Sequence, residues 1–494
     1  MSDTLFPFFN SNSDKVALVE GENKHTYSEV NDRINLFSSG ILGAKEDLNE
    51  ERIAFFLPAS LDYVTTMHGV WRAGGIAVPL NVASAVSELD HYLTCAKVTR
   101  LIAGTQYHDS LKGLCNSLKI ELLSVSDVMA EEPRALPLIN PERRAMMLFT
   151  SGTTNKPKGV VSTHKTICAQ ITTLITAWEW SEKDVIPLFL PLHHIHGIIN
   201  ILSCGLWAGA TVHLFSKFDI PKISKQITHG TYNVFMAVPT IYVKLIQYFE
   251  TIEKDEVDKI CAGFSAMRLN ISGSAACPVK LFEQWKELTG QILLERYGMT
   301  EIGMGISNPY NGERRAGAVG QPLPGVQCQL FDENDNVVER DSEPGEIRIK
   351  GDNVFLEYWE NEEATKSSFK DGWFCTGDVA VVEQGYYRIM GRSSVDIIKS
   401  GGYKLSALEI EGVLLTHDSI SEVAVIGIED DIWGEAVTAF VALKEGTALE
   451  FDSLKSWCEG RMSSYKIPKH LKLVDALPRN AMGKVTKPSL KELL

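Results

Sequence analysis

RIAFFLPASLDYVTTMHGVWRAG, residues 52–74, runs from an apolar, aromatic-rich segment closed by Pro58 into a stretch of helical period. VIPLFLP, residues 185–191, leads in the same way into an apolar segment that reaches Gly205. Short apolar runs alternating with helical ones read as βαβ units, whose strands pair in parallel in a sheet covered on both faces. Between about 316 and 391 the texture changes. GVQCQLFDENDNVV, GEIRIKG, GWFCTGDVAVV and GYYRIMGR are short runs separated by turn residues, the signature of an antiparallel or barrel-like subdomain. After Arg392 a third texture begins: a helix from about Ala407 to Thr416, strands SEVAVIGI and AVTAFVALKEG, and a helix from Phe451 to Arg461. The expected class is therefore α/β, a large N-terminal domain of parallel-rich sheets with a β-barrel-like subdomain, then a small α+β domain. The glycine-flanked stretch Gly391–Gly402 sets the boundary, giving domains 1–391 and 392–494.

Composition narrows the function. The 48 Lys and Arg against 63 Asp and Glu leave a net charge of −15, and no basic run is present, which argues against nucleic acid as a partner. A hydrophobic fraction of 44% with 22% charged residues is enough to build a large core. The 9 cysteines are odd in number, scattered and never spaced C-x-x-C, so neither a disulfide framework nor a zinc ribbon is expected. That points to a reducing, cytoplasmic setting, and MSDTLFPFFNSNSDK has neither the basic-then-apolar order of a signal peptide nor an Arg-rich composition. The most apolar region, Val185–Phe215, is interrupted by Pro191, three histidines and Asn200 before reaching the ~18 residues a membrane span requires. It reads as buried core.

The segment LFTSGTTNKPKGVV, residues 148–161, carries the clearest chemistry. Gly152 and Gly159 let a ligand approach the backbone, Thr150, Ser151, Thr153 and Thr154 offer hydroxyls, and Lys156 and Lys158 offer charge to phosphate oxygens. G-x-x-x-x-G-K-[ST] is absent, which disfavours a P-loop.

TSGTTNKPKG at 150–159, YGMTE at 297–301, TGD at 376–378, GR at 391–392 and PRNAMGK at 478–484 together resemble the adenylate-forming, AMP-binding enzymes. The resemblance runs nearly end to end. It implies a two-step reaction: a carboxylate and ATP give an acyl-adenylate and pyrophosphate, and coenzyme A then displaces AMP. It stacks Tyr297 on adenine beside Gly298, places Thr300 near the α-phosphate and gives Glu301 to Mg²⁺, a hard cation that prefers oxygen ligands. Asp378, helped by Arg392, would take the ribose hydroxyls. ISGSAA at 271–276 would admit adenine beside Gly273, Ser274 and Ala275. Lys484 would reach the reacting carboxylate and α-phosphate and stabilise charge there. The resemblance also implies a mobile small domain, with Asp396 as the hinge candidate and Ser400, Gly401 and Gly402 flanking the coenzyme A arm. GRSSVDIIKSGG departs from many relatives by one residue, which leaves the hinge position open.

The acid to be activated is read from the residues around the acyl pocket. Many relatives carry a small or apolar residue before the tyrosine, whereas ILLERYGMTE has Arg296 there. A guanidinium beside a buried pocket calls for an anion, and the second carboxylate of a dicarboxylic acid supplies one in planar, bidentate geometry. LPLHHIHGIINILSCGLWAGA, VFMAVPTIY, MRLNISGSA and SNPYNGERRAGAVG resemble the malonyl-CoA synthetases, bacterial and mitochondrial. The resemblance implies malonate, with methylmalonate or another short or medium-chain acid as the alternative. Arg268 is a second candidate for the distal carboxylate, His194 a catalytic candidate, and His196 a residue narrowing the pocket. Expected partners are malonate, ATP and coenzyme A, with no membrane span, and a monomer or homodimer. A carrier-protein adenylation module, a luciferase-like oxidase and a non-catalytic nucleotide binder share the scaffold; the last is disfavoured because Glu301, Asp378, Arg392 and Lys484 are all retained.

Overall fold

The structure is a computed structural model that describes residues 6, 9, 13–150, 157–393, 395–400, 403–430, 433–479 and 485–494. Its chain gathers into two compact units. The first holds Met1–Ala316, Gln321–Gln327 and Lys350–Gly372; the second holds Gly317–Gly320, Cys328–Ile349 and Trp373–Leu494.

In the first unit the opening stretch folds as its pattern requires. Arg52–Phe56 is a strand and Leu61–Arg72 a helix, and Ser60 caps the helix by accepting from the Tyr63 amide at 3.2 Å. Ile53, Ala54 and Phe55 have no exposure because parallel neighbours flank the strand and helices cover its faces. The sheet runs in the order Glu357–Tyr358, Lys158–Thr163, Arg144–Thr150, Ile76–Pro79, Arg52–Phe56, Arg100–Ala103, Glu121–Leu123. A second sheet joins Val234–Ala237, Leu269–Ser272 and Leu294–Met299 in parallel, then turns antiparallel through Gly303–Ser307 to Gln321–Pro322. Val185–Phe215 is mostly buried, with Pro191 exposed, and part of it is a π-helix, His196–Ser203, with every residue buried. The sequence pattern does not distinguish that winding from an α-helix. Such segments recur at functional sites.

In the second unit the antiparallel reading of residues 316–391 is the one found: Trp373–Glu383 pairs with Gly345–Lys350 on one side and Tyr386–Arg392 on the other. The C-terminal sheet joins Tyr403–Ser406, Ile397–Ser400, Gly434–Leu443 and Ile420–Asp430, with His470–Leu473 parallel to Gly434–Leu443. Helices Ala407–Leu414 and Phe451–Cys458 give it the expected α+β character. Its core gathers Ile398, Ile410, Leu414, Val425, Val437 and Leu454. Among the described residues no helix is long and apolar enough to cross a membrane.

Candidate active site

In open α/β sheets the carboxyl ends of parallel strands are where ligands bind. Leu269–Ser272 and Leu294–Met299 are parallel neighbours, with Ser272 opposite Glu295. Gly273, Ser274 and Ala275 therefore leave one strand end while Arg296 and Tyr297 stand on the next. Ser274 adopts φ +69°, a left-handed conformation uncommon for a residue with a side chain. Its hydroxyl lies 3.2 Å from Nη2 of Arg296 and 3.1 Å from Nδ1 of His196. A guanidinium only donates, so the serine proton is available to Nδ1, and a neutral His196 then carries its own proton on Nε2. Burial, with Arg296 and His194 nearby, holds His196 well below the ordinary histidine range and keeps it neutral. A Cβ on Gly273 would sit 2.6 Å from Cζ of Arg296, so glycine there leaves the guanidinium its present place.

Arg296 is 4% exposed, and burial lowers its pKa to about 9. Among the described residues no carboxylate pairs with it, and its Nε and the Nε2 of His196 are both buried without a hydrogen-bond partner. Two buried N–H donors in one serine-linked cluster, one of them cationic, have no acceptor among the described residues. An anion of carboxylate size meets that requirement. His194 is half-buried, with its ring 4.1 Å from that of His193.

Arg268 is not available for that role. Its Nε and Nη2 donate to the two carboxylate oxygens of Asp184, each at 2.7 Å, and Nη1 donates to the Trp178 carbonyl at 2.8 Å. The fork is filled by an acid 84 residues away in sequence. The expectation of Arg268 as a distal-carboxylate residue is corrected accordingly: it is a structural ion pair. Arg314 is likewise committed, donating to the carbonyls of Pro309, Ile292 and Tyr310.

The YGMTE segment ends Leu294–Met299 and turns into Gly303–Ser307. Gly298 is sterically fixed, since a Cβ there would meet the Gly303 carbonyl at 2.1 Å. Thr300 and Glu301 occupy the turn between these strands. Glu301 is buried, and its Oε1 accepts from the Tyr358 hydroxyl at 3.0 Å. Lys158 pairs with Thr150 across the antiparallel strands Arg144–Thr150 and Lys158–Thr163, and its ammonium lies 5.0 Å from the Tyr358 ring centroid. Tyr358 carries no sequence motif of its own and was not anticipated. One oriented carboxylate beside a lysine-bearing, phosphate-type strand fits Mg²⁺, which is usually held by one or two carboxylates and substrate phosphates; among the described residues no three-residue His, Cys, Asp or Glu cluster could hold a metal by itself. Ser151, Gly152, Thr153, Thr154 and Lys156, together with Gly401, Gly402 and Lys484, lie outside the described residues.

In the second unit Asp378 and Arg392 face each other across two antiparallel strands, with Nε of Arg392 3.1 Å from Oδ1 of Asp378. Asp396 accepts from the Arg392 amide at 3.0 Å through Oδ2 and pairs with Lys487 through Oδ1. Lys487 also lies 2.7 Å from Glu411. No motif marks this triad, whose members lie up to 91 residues apart in the chain. Burial, opposed by Lys487, raises the Glu411 carboxyl. Ser400 is buried on Ile397–Ser400.

Comparison with known proteins follows the same division of motifs. The family model "AMP-binding enzyme" matches residues 8–359, and its C-terminal domain model matches residues 409–484. The chain is 41% identical to the mitochondrial malonate–CoA ligase ACSF3 of Mus musculus, over 97% of this chain and 88% of that one. It is 39% identical to the malonate–CoA ligase of Arabidopsis thaliana, over 90% and 78%. A crystal structure of ATP-bound MatB from Rhodopseudomonas palustris superposes with TM-score 0.89 at 32% identity, covering 100% of this chain and 99% of that chain. With one family model spanning most of its length and relatives this close, the chain belongs to the AMP-binding enzymes, the adenylate-forming ligases.

Proposed function

We propose that this enzyme ligates malonate to coenzyme A. One malonate carboxylate attacks the α-phosphate of ATP and expels pyrophosphate, giving malonyl-adenylate. The thiol of coenzyme A then attacks the acyl carbon, loses its proton and releases AMP, giving malonyl-CoA. The observation that carries the choice of acid is Arg296, buried and without a carboxylate partner among the described residues, beside the unpartnered Nε2 of His196. A distal carboxylate would accept from both and would be held by charge as well as by hydrogen bonds. A monocarboxylic acid leaves them unsatisfied. The near relatives named malonate–CoA ligases support the same reading.

Within this reading Glu301 would hold Mg²⁺, which when bound neutralises charge on the ATP phosphates, and Lys158 would face those phosphates. Tyr297 and the strand end 273–275 would receive adenine, Asp378 and Arg392 the ribose, and Lys484 the developing charge of the first step. Residues 392–494 would move as a body about Asp396 between the two steps, bringing Ser400, Gly401 and Gly402 to coenzyme A. A cytoplasmic setting remains part of the proposal, resting on the net charge and the scattered spacing of the cysteines, although the Mus musculus relative is named mitochondrial. Exchange of labelled pyrophosphate into ATP with acetate, malonate, methylmalonate, succinate and octanoate tests the assignment. Malonate should drive exchange most strongly, and equal exchange with acetate or octanoate would refute it.

A further inference from the structure

Helix Val86–Cys95 touches both strands that lead into and out of the 150–159 motif. Leu89 and Leu93, one turn apart, are buried in a core they share with Ile76, Val78 and Leu101, which ties the helix to the sheet. The Tyr92 ring meets that of Phe149 at a centroid distance of 4.7 Å, with the planes at 35°. The adjacent His91 places Nε2 3.2 Å from the Pro157 carbonyl. A carbonyl only accepts, so Nε2 carries the proton. Phe149 stands opposite Gly159 in the antiparallel ladder, and Pro157 lies one residue beyond the last pair, Thr150 with Lys158. His91 therefore holds the backbone at the point where the ladder stops.

We infer that His91 is a positioning residue for Lys158, acting through the backbone rather than by touching nucleotide; this rests on the reading of Lys158 as facing the ATP phosphates. The Pro157 carbonyl and the Lys158 amide nitrogen share one rigid peptide plane, so a hydrogen bond that fixes the first fixes the orientation in which the chain enters Lys158. Tyr92 restrains the opposite strand at Phe149, and the two contacts come from one helix anchored in the core. A backbone already held in place loses less freedom when it receives a ligand, and that difference appears as affinity.

The readouts are binding of a non-hydrolysable ATP analogue by calorimetry and the KM values for ATP and malonate in pyrophosphate exchange. His91→Leu removes the donor, whereas His91→Gln keeps an N–H close to the place of Nε2. His91→Leu should bind the analogue about three- to tenfold more weakly, the scale of one hydrogen bond, and raise KM for ATP in step while leaving KM for malonate unchanged. His91→Gln should stay within about twofold of wild type. A merely structural role would lower the active fraction, read as calorimetric stoichiometry and kcat, and leave both affinities as they were. Should His91→Leu fail to fold, Tyr92→Leu carries the same test from the other strand, with the same expected direction. Wild-type analogue affinity in the leucine variant, equal rises in both KM values, or no rescue by glutamine would overturn the inference. Lys158→Ala in the same calorimetric assay separates it from the reading beneath it. A loss there with none in His91→Leu overturns this inference alone, and no loss in Lys158→Ala overturns the phosphate role of Lys158 and this inference with it.

Discussion

Arg296 donates from Nη2 to the Oγ of Ser274 at 3.2 Å, and the serine pays for the contact with a left-handed backbone at φ +69°. The strain and the hydrogen bond act on the same residue, so two substitutions separate them. Ser274→Gly removes the hydroxyl and relieves the backbone; Ser274→Ala removes the hydroxyl and keeps the strain. The glycine variant should be the more stable by about 1 kcal/mol, read from urea unfolding midpoints. Both should raise KM for malonate several-fold, because the serine hydroxyl links Arg296 to His196.

Buried neutral histidines make the fold sensitive to mild acid. Burial lowers His68 to about 3 and His164 to about 4, and holds His196 well below its ordinary value. In the unfolded chain each titrates near about 6.5, so below that pH the unfolded state binds protons that the folded state refuses. Stability is full above about pH 6.5 and falls as pH drops, by up to about 1.4 kcal/mol per pH unit for each such histidine. Glu51, lowered to about 2, loses its contribution only at pH values below about 4.5. Urea midpoints at pH 7.0 and 5.5 should therefore differ, and differ less in His68→Phe, whose ring would sit among Phe6, Phe9 and Trp71. An equal pH dependence in that variant would contradict the assignment.

Lys487 holds two carboxylates, Asp396 and Glu411, in a largely buried setting. Replacing it with methionine leaves both without their cation and should cost about 3 to 5 kcal/mol in chemical unfolding. Lys487→Met with Glu411→Gln removes one of the stranded charges and should recover part of that loss. A Lys487→Met variant as stable as wild type would show that the triad contributes nothing.

Lys484 and Gly402 should separate the two half-reactions. Lys484→Ala should lower adenylation about 10²- to 10³-fold while sparing thioester formation from supplied malonyl-adenylate. Gly402→Leu should do the reverse, sparing pyrophosphate exchange and blocking transfer to coenzyme A. Parallel losses in both half-reactions for either variant would remove its assigned role.

What was legible in the sequence was local. The apolar run 52–57 and the helical period after it predict the parallel sheet, and the turn-broken runs of 316–391 predict antiparallel pairing. Arg296 is legible because it stands immediately before the tyrosine of YGMTE, where many relatives carry a small or apolar residue. What was not legible depends on pairing across long sequence distances. Arg268 reads as a second candidate, and only the distant pairing with Asp184, which fills its fork, removes it. Tyr358 reaches Glu301 across 57 residues and Lys487 reaches Asp396 across 91, and no periodicity encodes either contact. The π-helix His196–Ser203 has the same apolar pattern as an α-helix, so its winding follows from packing.

The central claim is that Arg296 reads the distal carboxylate of malonate, and the ratio of kcat/KM for malonate to that for acetate, in wild type and Arg296→Ala at matched ATP and Mg²⁺, tests it most directly. Removing one partner of a desolvated ion pair costs about 3 to 5 kcal/mol, which is roughly two to four decades in kcat/KM. Acetate makes no such pair and leaves the guanidinium unsatisfied. The account predicts a ratio far above one in wild type that collapses by at least about a hundredfold in Arg296→Ala, with Arg296→Lys between the two because it keeps the charge and loses the planar fork. An unchanged ratio would contradict it.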